Sequence, residues 1–267
     1  MQRQSSPSER LSAGLAGPRG SGLGTRGWAL VTICLVAFST VLDAQRGRGG
    51  GGAPAAANPR AAAPIDLTGY WVSPITEDWK FRMVTPNKGV FDALPLNPEG
   101  RKVGESWDPA RDEAAGEQCR SYGAANIMRV PGRLHITWQD DNTLRVDTDA
   151  GTQTRLLRFG PAAVATAAEP SWQGQSAAQW NIPGKSLKVI TTNLRPGYVR
   201  KNGAPYSSKT TLTEYWELHT LPNGDKWLTV TSKVEDPVYF TRPYLTSSDF
   251  KALPTAAGWN PTPCVAK

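Results

Sequence analysis

Glu214 and Arg155 are the side chains whose placement in this 267-residue chain promises the most chemistry. Read as a strand, Thr210–His219 puts Glu214 on one face with Leu212, Trp216 and Leu218. A carboxylate on an apolar face is costly unless it is paired. Arg155 shares a face with Leu157 and Phe159, so it is the inward cation able to meet that acid. Two readings stand. The pair is structural, or Glu214 and Arg155 are polar fixtures in a ligand cavity walled by Trp216 and Trp138. If the sheet closes around a hollow, the two readings merge.

Other chemistry-bearing residues are scattered. His135 falls opposite Asp147 when their strands are paired, on the outer face. Such a pair can orient an imidazole for base catalysis, or be a solvated cross-strand contact worth a few tenths of a kcal/mol. Glu235 opens the run Glu235-Asp236-Pro237, where three consecutive positions make a poor calcium loop and Pro237 ends a strand. Ser176 in Gly174-Gln-Ser-Ala-Ala178 lacks the final glycine of a nucleophile elbow. Two isolated histidines and three cysteines supply no metal-ligand set, and no phosphate or dinucleotide loop is present. No cofactor or metal is expected, and no catalytic role is assigned; His135, Asp147 and Glu235 are the candidates if there is one.

The elements that must hold these residues read as strands. Alternating segments rich in Thr, Val, Tyr and Trp run 79–85, 133–138, 143–148, 153–159, 186–193, 210–219, 226–234 and 239–244, with fainter ones at 69–73 and 177–180. A helical insert is expected near 97–119, with Asn97 as N-cap and Pro98 in the first turn. Two hairpins can be given a register, because a slip of one residue would mix the faces. In the first, Trp138 opposes Leu144 and Ile136 opposes Val146, around a three-residue turn with Asn142 left-handed. In the second, Leu218 opposes Leu228, Trp216 opposes Val230 and Leu212 opposes Val234, around Pro222-Asn223-Gly224. Glu214 then faces Ser232, and His219 faces Trp227 on the outer surface. The fold class is all-β with a short helical insert, an antiparallel meander closed as a barrel or else a β-sandwich.

Residues 28–42 form an apolar run without charge, followed by Asp43-Ala44 and preceded by Arg19 and Arg26. The pattern is that of a secretory signal (1–44) cut after Ala44, too short for a typical bilayer span of about 20 residues. An uncleaved anchor over 28–42 is the alternative, and the one route to a membrane. Residues 45–64, rich in Gly, Ala and Pro, read as a disordered linker before one domain at 65–267. Removing 1–44 takes away four arginines and two carboxylates and lowers the net charge from +7 to +5; the linker holds three more arginines, leaving +2 on the domain. That near-balance argues against nucleic acid as a partner. Cys34 leaves with the leader, so Cys119 and Cys264 are expected to form a disulfide in a secreted or periplasmic setting.

The stretch Trp172-x-Gly174-x-Ser176-x-Ala178-x-Trp180, with Leu187-x-Val189-x-Thr191, Leu212-x-Glu214-Tyr215 and Glu235-Asp236-Pro237-x-x-Phe240-x-x-Pro243, resembles an uncharacterised family of secreted bacterial all-β proteins. The likeness spans roughly 65–264 and implies export and a β fold but no reaction. Gly69-Tyr70-Trp71 is loosely similar to the opening of a lipocalin strand and favours a barrel. The expected function is capture of a small, partly apolar ligand inside a barrel lined by Trp138, Trp216, Glu214 and Arg155. Two alternatives are a hydrolase using carboxylates or the His135–Asp147 pair, and a carbohydrate-binding or envelope scaffold module with an exposed row of tryptophans.

Overall fold

The computed structural model describes residues 58–160 and 169–267. The leader (1–44, including 28–42) and most of the linker lie outside them. Among the described residues eleven strands occur: β1 (Gly69–Val72), β2 (Arg133–Asp140), β3 (Thr143–Thr148), β4 (Gln153–Phe159), β5 (Gln175–Asn181), β6 (Ser186–Thr192), β7 (Gly197–Arg200), β8 (Ala204–Tyr206), β9 (Thr211–Thr220), β10 (Lys226–Glu235) and β11 (Tyr244–Leu253). Nine of them close a barrel in the order β1-β11-β10-β9-β6-β5-β4-β3-β2, with β1 returning to β2; β7 and β8 pair separately. The all-β barrel is therefore the fold, and a sandwich is not. It is not a pure meander: β4 and β5 run parallel, and β6 passes to β9 over the β7–β8 excursion.

Both hairpins adopt the register that apolar alternation demands, Trp138↔Leu144 and Ile136↔Val146 in one, Leu218↔Leu228 through Leu212↔Val234 in the other. The second turn closes over Pro222-Asn223-Gly224, with the Leu221 amide donating to the Asp225 carbonyl and Gly224 left-handed at φ +85°. The first turn differs from expectation. A shift between Trp138 and Asp140 pairs Asp140 with Thr143, and Asn142 is not left-handed. The Asp140 carboxylate accepts the Asn142 amide at 2.7 Å, so a bulge and an Asx contact do what a left-handed residue was expected to do.

Two expected strands are corrected. Residues 79–85 contain helix α1 (Trp79–Arg82) instead, since Trp79 and Met83, the alternating apolar positions, stay exposed and the segment buries Arg82. Residues 239–244 give only an isolated bridge from Phe240 to Leu96; the strand begins at Tyr244. The helical insert is present as α2 (Pro98–Glu105), capped by Asn97 accepting the Gly100 amide at 2.8 Å, and α3 (Pro109–Ala114), capped by Asp108. A 3-10 turn (Gln118–Tyr122) and α4 (Ala124–Ile127) follow. Residues 58–64, counted above as linker, are held on the barrel: Asn58 and the Arg60 amide donate to Asp141, and Trp180 Nε1 donates to the Pro59 carbonyl at 2.8 Å.

One cluster of buried side chains occupies the barrel, including Trp71, Ile136, Val146, Leu157, Leu187, Val189, Trp216, Val230 and Phe250. Within it lies the Arg155–Glu214 ion pair, both side chains fully buried, joined by Nη1–Oε1 at 3.0 Å and Nη2–Oε2 at 2.6 Å. Arg155 Nη2 also reaches Thr191 Oγ1 at 3.4 Å, and Thr191 meets Ser176 Oγ at 2.8 Å. A second cluster packs Phe91, Leu94 and Leu96, α4 and the β7–β8 hairpin against the ends of β9 and β10. Cys119 in the 3-10 turn and Cys264 in the C-terminal tail form a disulfide across 145 residues.

Removing one member of the inner pair strands a buried charge, which costs about 3–5 kcal/mol. Glu214→Leu is expected to lower stability by that amount in urea denaturation. Arg155→Met with Glu214→Leu is expected to regain most of it; a double variant as unstable as the sum of the singles would contradict the pairing. Cys264→Ser is expected to cost about 4–5 kcal/mol by freeing a long loop in the unfolded chain. That corresponds to a fall in Tm of roughly 10–20 °C, measurable by scanning calorimetry.

Candidate functional site

The residues singled out in the sequence do not assemble into one site. Asp147 is held by Arg145 Nε at 2.7 Å and accepts from Thr154, while His135 stacks flat on Tyr70 at 4.1 Å between centroids. The two face each other across β2 and β3, but each side chain is committed elsewhere. Arg145 and Thr154 hold the Asp147 carboxyl below the usual carboxylate range, against the upward pull of its partial burial. Glu235 is half-exposed and paired with Lys233 Nζ at 2.8 Å. Ser176 is buried in the wall with Thr191 as its hydroxyl partner, and no base accompanies it.

Of the expected ligand wall, Glu214, Arg155 and Trp216 lie fully buried in the packed barrel interior. Trp138 packs with Phe159 and Trp180 at one mouth and borders a broad hollow of about 400 Å³ with Arg60, Pro64 and Thr68. Trp79 alone of the nine tryptophans after the leader is exposed, so no exposed row is formed. Among the described residues there is no cluster of three or more His, Cys, Asp or Glu able to hold a metal ion, and no helix long and apolar enough to cross a membrane.

The structure builds a site elsewhere, between the helical segment and the β7–β8 hairpin. A recess of about 250 Å³ opens there, walled by Trp107, Tyr198, Tyr206 and Tyr239 and edged by Arg111 and Arg120. Asp112, buried in α3, is its anchor. It accepts from Trp107 Nε1 at 3.1 Å, Tyr198 hydroxyl at 2.8 Å and Arg120 Nη1 at 2.8 Å. Arg120 is fixed further by Nε donating to Glu117 at 3.2 Å and Nη1 to the Tyr198 oxygen at 3.2 Å. Glu117 is held from its other side by Arg195, whose guanidinium lies over Trp172 at 4.1 Å.

This arrangement positions rather than reacts. Burial pushes the Tyr198 phenol up to about 12, and donation to Asp112 adds to that, against the opposing Arg120. It is protonated at neutral pH and serves as a donor. Desolvation is the largest influence on Arg120 and acts downward, but Tyr198, Asp112 and Glu117 together raise it. The guanidinium stays charged. Its Nη2 makes no hydrogen bond among the described residues, and its side chain is about a third exposed, at 35 %. Arg111, exposed on α3, is likewise without a polar partner among the described residues.

Sequence reasoning missed Asp112, Arg120 and Tyr198 because they come from three separated segments with no shared period. The one local signal was the capped start of α3, which fixes where Asp112 points. The sequence matches no family model, and no curated protein or solved structure is significantly similar to it.

Proposed function

We propose that the chain is an exported binding protein that takes a small anion with an aromatic or apolar body into the recess beside β7, outside the barrel. One observation carries the reading. Arg120 lines a cavity walled by aromatic rings, with Nε and Nη1 locked by Glu117, Asp112 and Tyr198 and no hydrogen bond on Nη2 among the described residues. A guanidinium fixed before the ligand arrives loses little side-chain entropy on binding, and its remaining Nη2 can donate to a carboxylate oxygen. Trp107, Tyr198 and Tyr239 supply the apolar contact. Arg111 at the rim adds a second cation. Export is supported by the leader pattern of residues 1–44 together with the Cys119–Cys264 bond, since structural disulfides persist in oxidising compartments.

The barrel interior is the poorer chamber. Arg155 and Glu214 satisfy each other there, so a ligand would have to break a buried pair to be recognised. A hydrolase is not favoured, because the Asp112 carboxylate and the Tyr198 hydroxyl at the centre of the recess are engaged with each other and with Trp107 and Arg120.

Titrating the protein with aryl carboxylates such as benzoate and indole-3-acetate, followed by tryptophan fluorescence, is expected to give saturable quenching through Trp107. Losing a charge-assisted hydrogen bond costs about 1.5–3 kcal/mol, so Arg120→Met is expected to weaken binding roughly ten- to a hundredfold. Arg111→Met, on an exposed side chain, is expected to weaken it only a few-fold. Equal affinity in the parent and Arg120→Met, or no response to any aryl anion, would overturn the assignment.

A further inference from the structure

Three arginines converge at the far side of β7, where nothing in the recess chemistry reaches. Arg82 of α1, Arg129 after α4 and Arg200 at the end of β7 are 7 %, 7 % and 4 % exposed. A β-bulge between Tyr198 and Arg200 turns these two residues to different surroundings, Tyr198 into the recess and Arg200 into the cluster. The three line a cleft with Phe81 and Lys201, whose free space of about 20 Å³ holds one water-sized atom.

The charges there do not balance. Arg82 pairs with Glu77 and also donates to the Arg129 carbonyl and to Ser73. Arg129 Nη2 meets Asp78 at 3.0 Å. Arg200 Nη2 donates to the Asp92 carbonyl at 3.0 Å, and no carboxylate among the described residues is within ion-pair distance of it. Lys201 Nζ donates to the Tyr122 hydroxyl at 3.1 Å. Asp249 lies farther off and is engaged by Thr76 and Thr229. Four cations thus face two paired carboxylates. Among the described residues, Arg129 Nη1 and both Nε and Nη1 of Arg200 are buried without a hydrogen-bond partner.

Burial, and after it the charge of Arg129, lowers Arg82 to about 10 against the opposing Asp249. Burial also lowers Arg200, with Tyr244 opposing and Arg129 assisting. The rings of Phe81 at 4.3 Å from Arg200 and Tyr244 at 5.9 Å from Arg129 hold the guanidinium planes but cannot neutralise them. Buried N–H groups of a cation are the most expensive donors to leave unmade.

We propose that the Arg82–Arg129–Arg200 cleft is an oxyanion-binding site, taking one oxygen of a phosphate or carboxylate group end-on between Arg129 Nη1 and an unmet N–H of Arg200. The rest of the group projects past Lys201 and Thr85 toward solvent. The cleft is independent of the recess proposed above and shares no lining residue with it.

Isothermal titration of the full chain with inorganic phosphate, and separately with acetate, at low and constant ionic strength tests this, with chloride as the control for general charge. Saturable binding of either oxyanion, weakened at least about tenfold by Arg200→Met and a few-fold by Lys201→Met, is the expected result. Acetate without phosphate binding would assign the group as a carboxylate, and the reverse as a phosphate. Chloride reproducing the heat at equal concentration, equal affinity in parent and Arg200→Met, or no binding of either oxyanion would overturn the site. If Arg200→Met does not fold, Lys201→Met and broadening of the phosphate phosphorus resonance by the unaltered protein decide. Quenching of Trp107 by aryl carboxylates is expected to survive Arg200→Met, which keeps failure here distinct from failure of the recess.

Discussion

The ion pair between Arg155 and Glu214 joins strands that are not neighbours. β5 and β6 lie between β4 and β9 in the barrel, so the bidentate contact crosses the interior and ties two arcs of wall together. Ser176 on β5 and Thr191 on β6 continue the same polar level underneath it. A buried pair of this kind adds little net stability, because desolving both charges offsets most of their attraction. What it specifies is register. Slipping β9 by one residue would turn Glu214 outward with Trp216 and Leu212 and leave Arg155 alone inside. Alternative pairings are thus penalised by a stranded cation as well as by lost apolar contact.

The recess and the arginine cleft are fastened to the outside of that barrel. The excursion carrying β7 and β8 returns through Asp236, which accepts from the Ser207 amide and hydroxyl, the Thr210 hydroxyl and the amides of Val238 and Tyr239. The 3-10 turn that delivers Arg120 is tied by Cys119 to the tail, and the tail lies along the β3–β4 turn through Thr262. Gln153 donates to both sulfurs, with Sγ of Cys264 at 3.4 Å, and is itself held by Gln173. Recess and arginine cleft are consequently set by cross-links between distant segments. Neither depends on the regularity of a long helix or strand.

That difference explains what could be read from the chain. Both hairpins, the inward direction of Glu214 and Arg155, the Asn97 cap and the disulfide follow from period, local turn chemistry and cysteine count, all of which act over short stretches or by elimination. β11 was invisible because its inward positions include Ser248 between Tyr244 and Phe250, which breaks the apolar alternation; the surroundings that tolerate a serine there are made by other strands. Residues 79–85 alternate well yet contain the helix Trp79–Arg82, whose Arg82 finds its partners in the cluster. Asp236 looked like a strand terminator before Pro237, and it is one. Its role as acceptor for five donors needed the fold to be seen.

Buried arginine appears in this protein in two conditions, and the contrast constrains what each place can do. Arg155 has a carboxylate on its fork and a hydroxyl beside it, leaving Nε as its one unmet donor among the described residues. Further anion there would compete with Glu214 for the same nitrogens. Arg200 has one carbonyl, an aromatic face and the neighbouring Tyr244 hydroxyl but no carboxylate pair, and Arg129 has one partly exposed aspartate. An interior this short of negative charge is costly in proportion to its dryness. The cleft meets solvent beside Lys201, so an anion from outside can supply what the chain does not. By the same reasoning the barrel, closed on itself and internally neutral, specifies the structure, and the uncompensated arginine charge lies at its periphery.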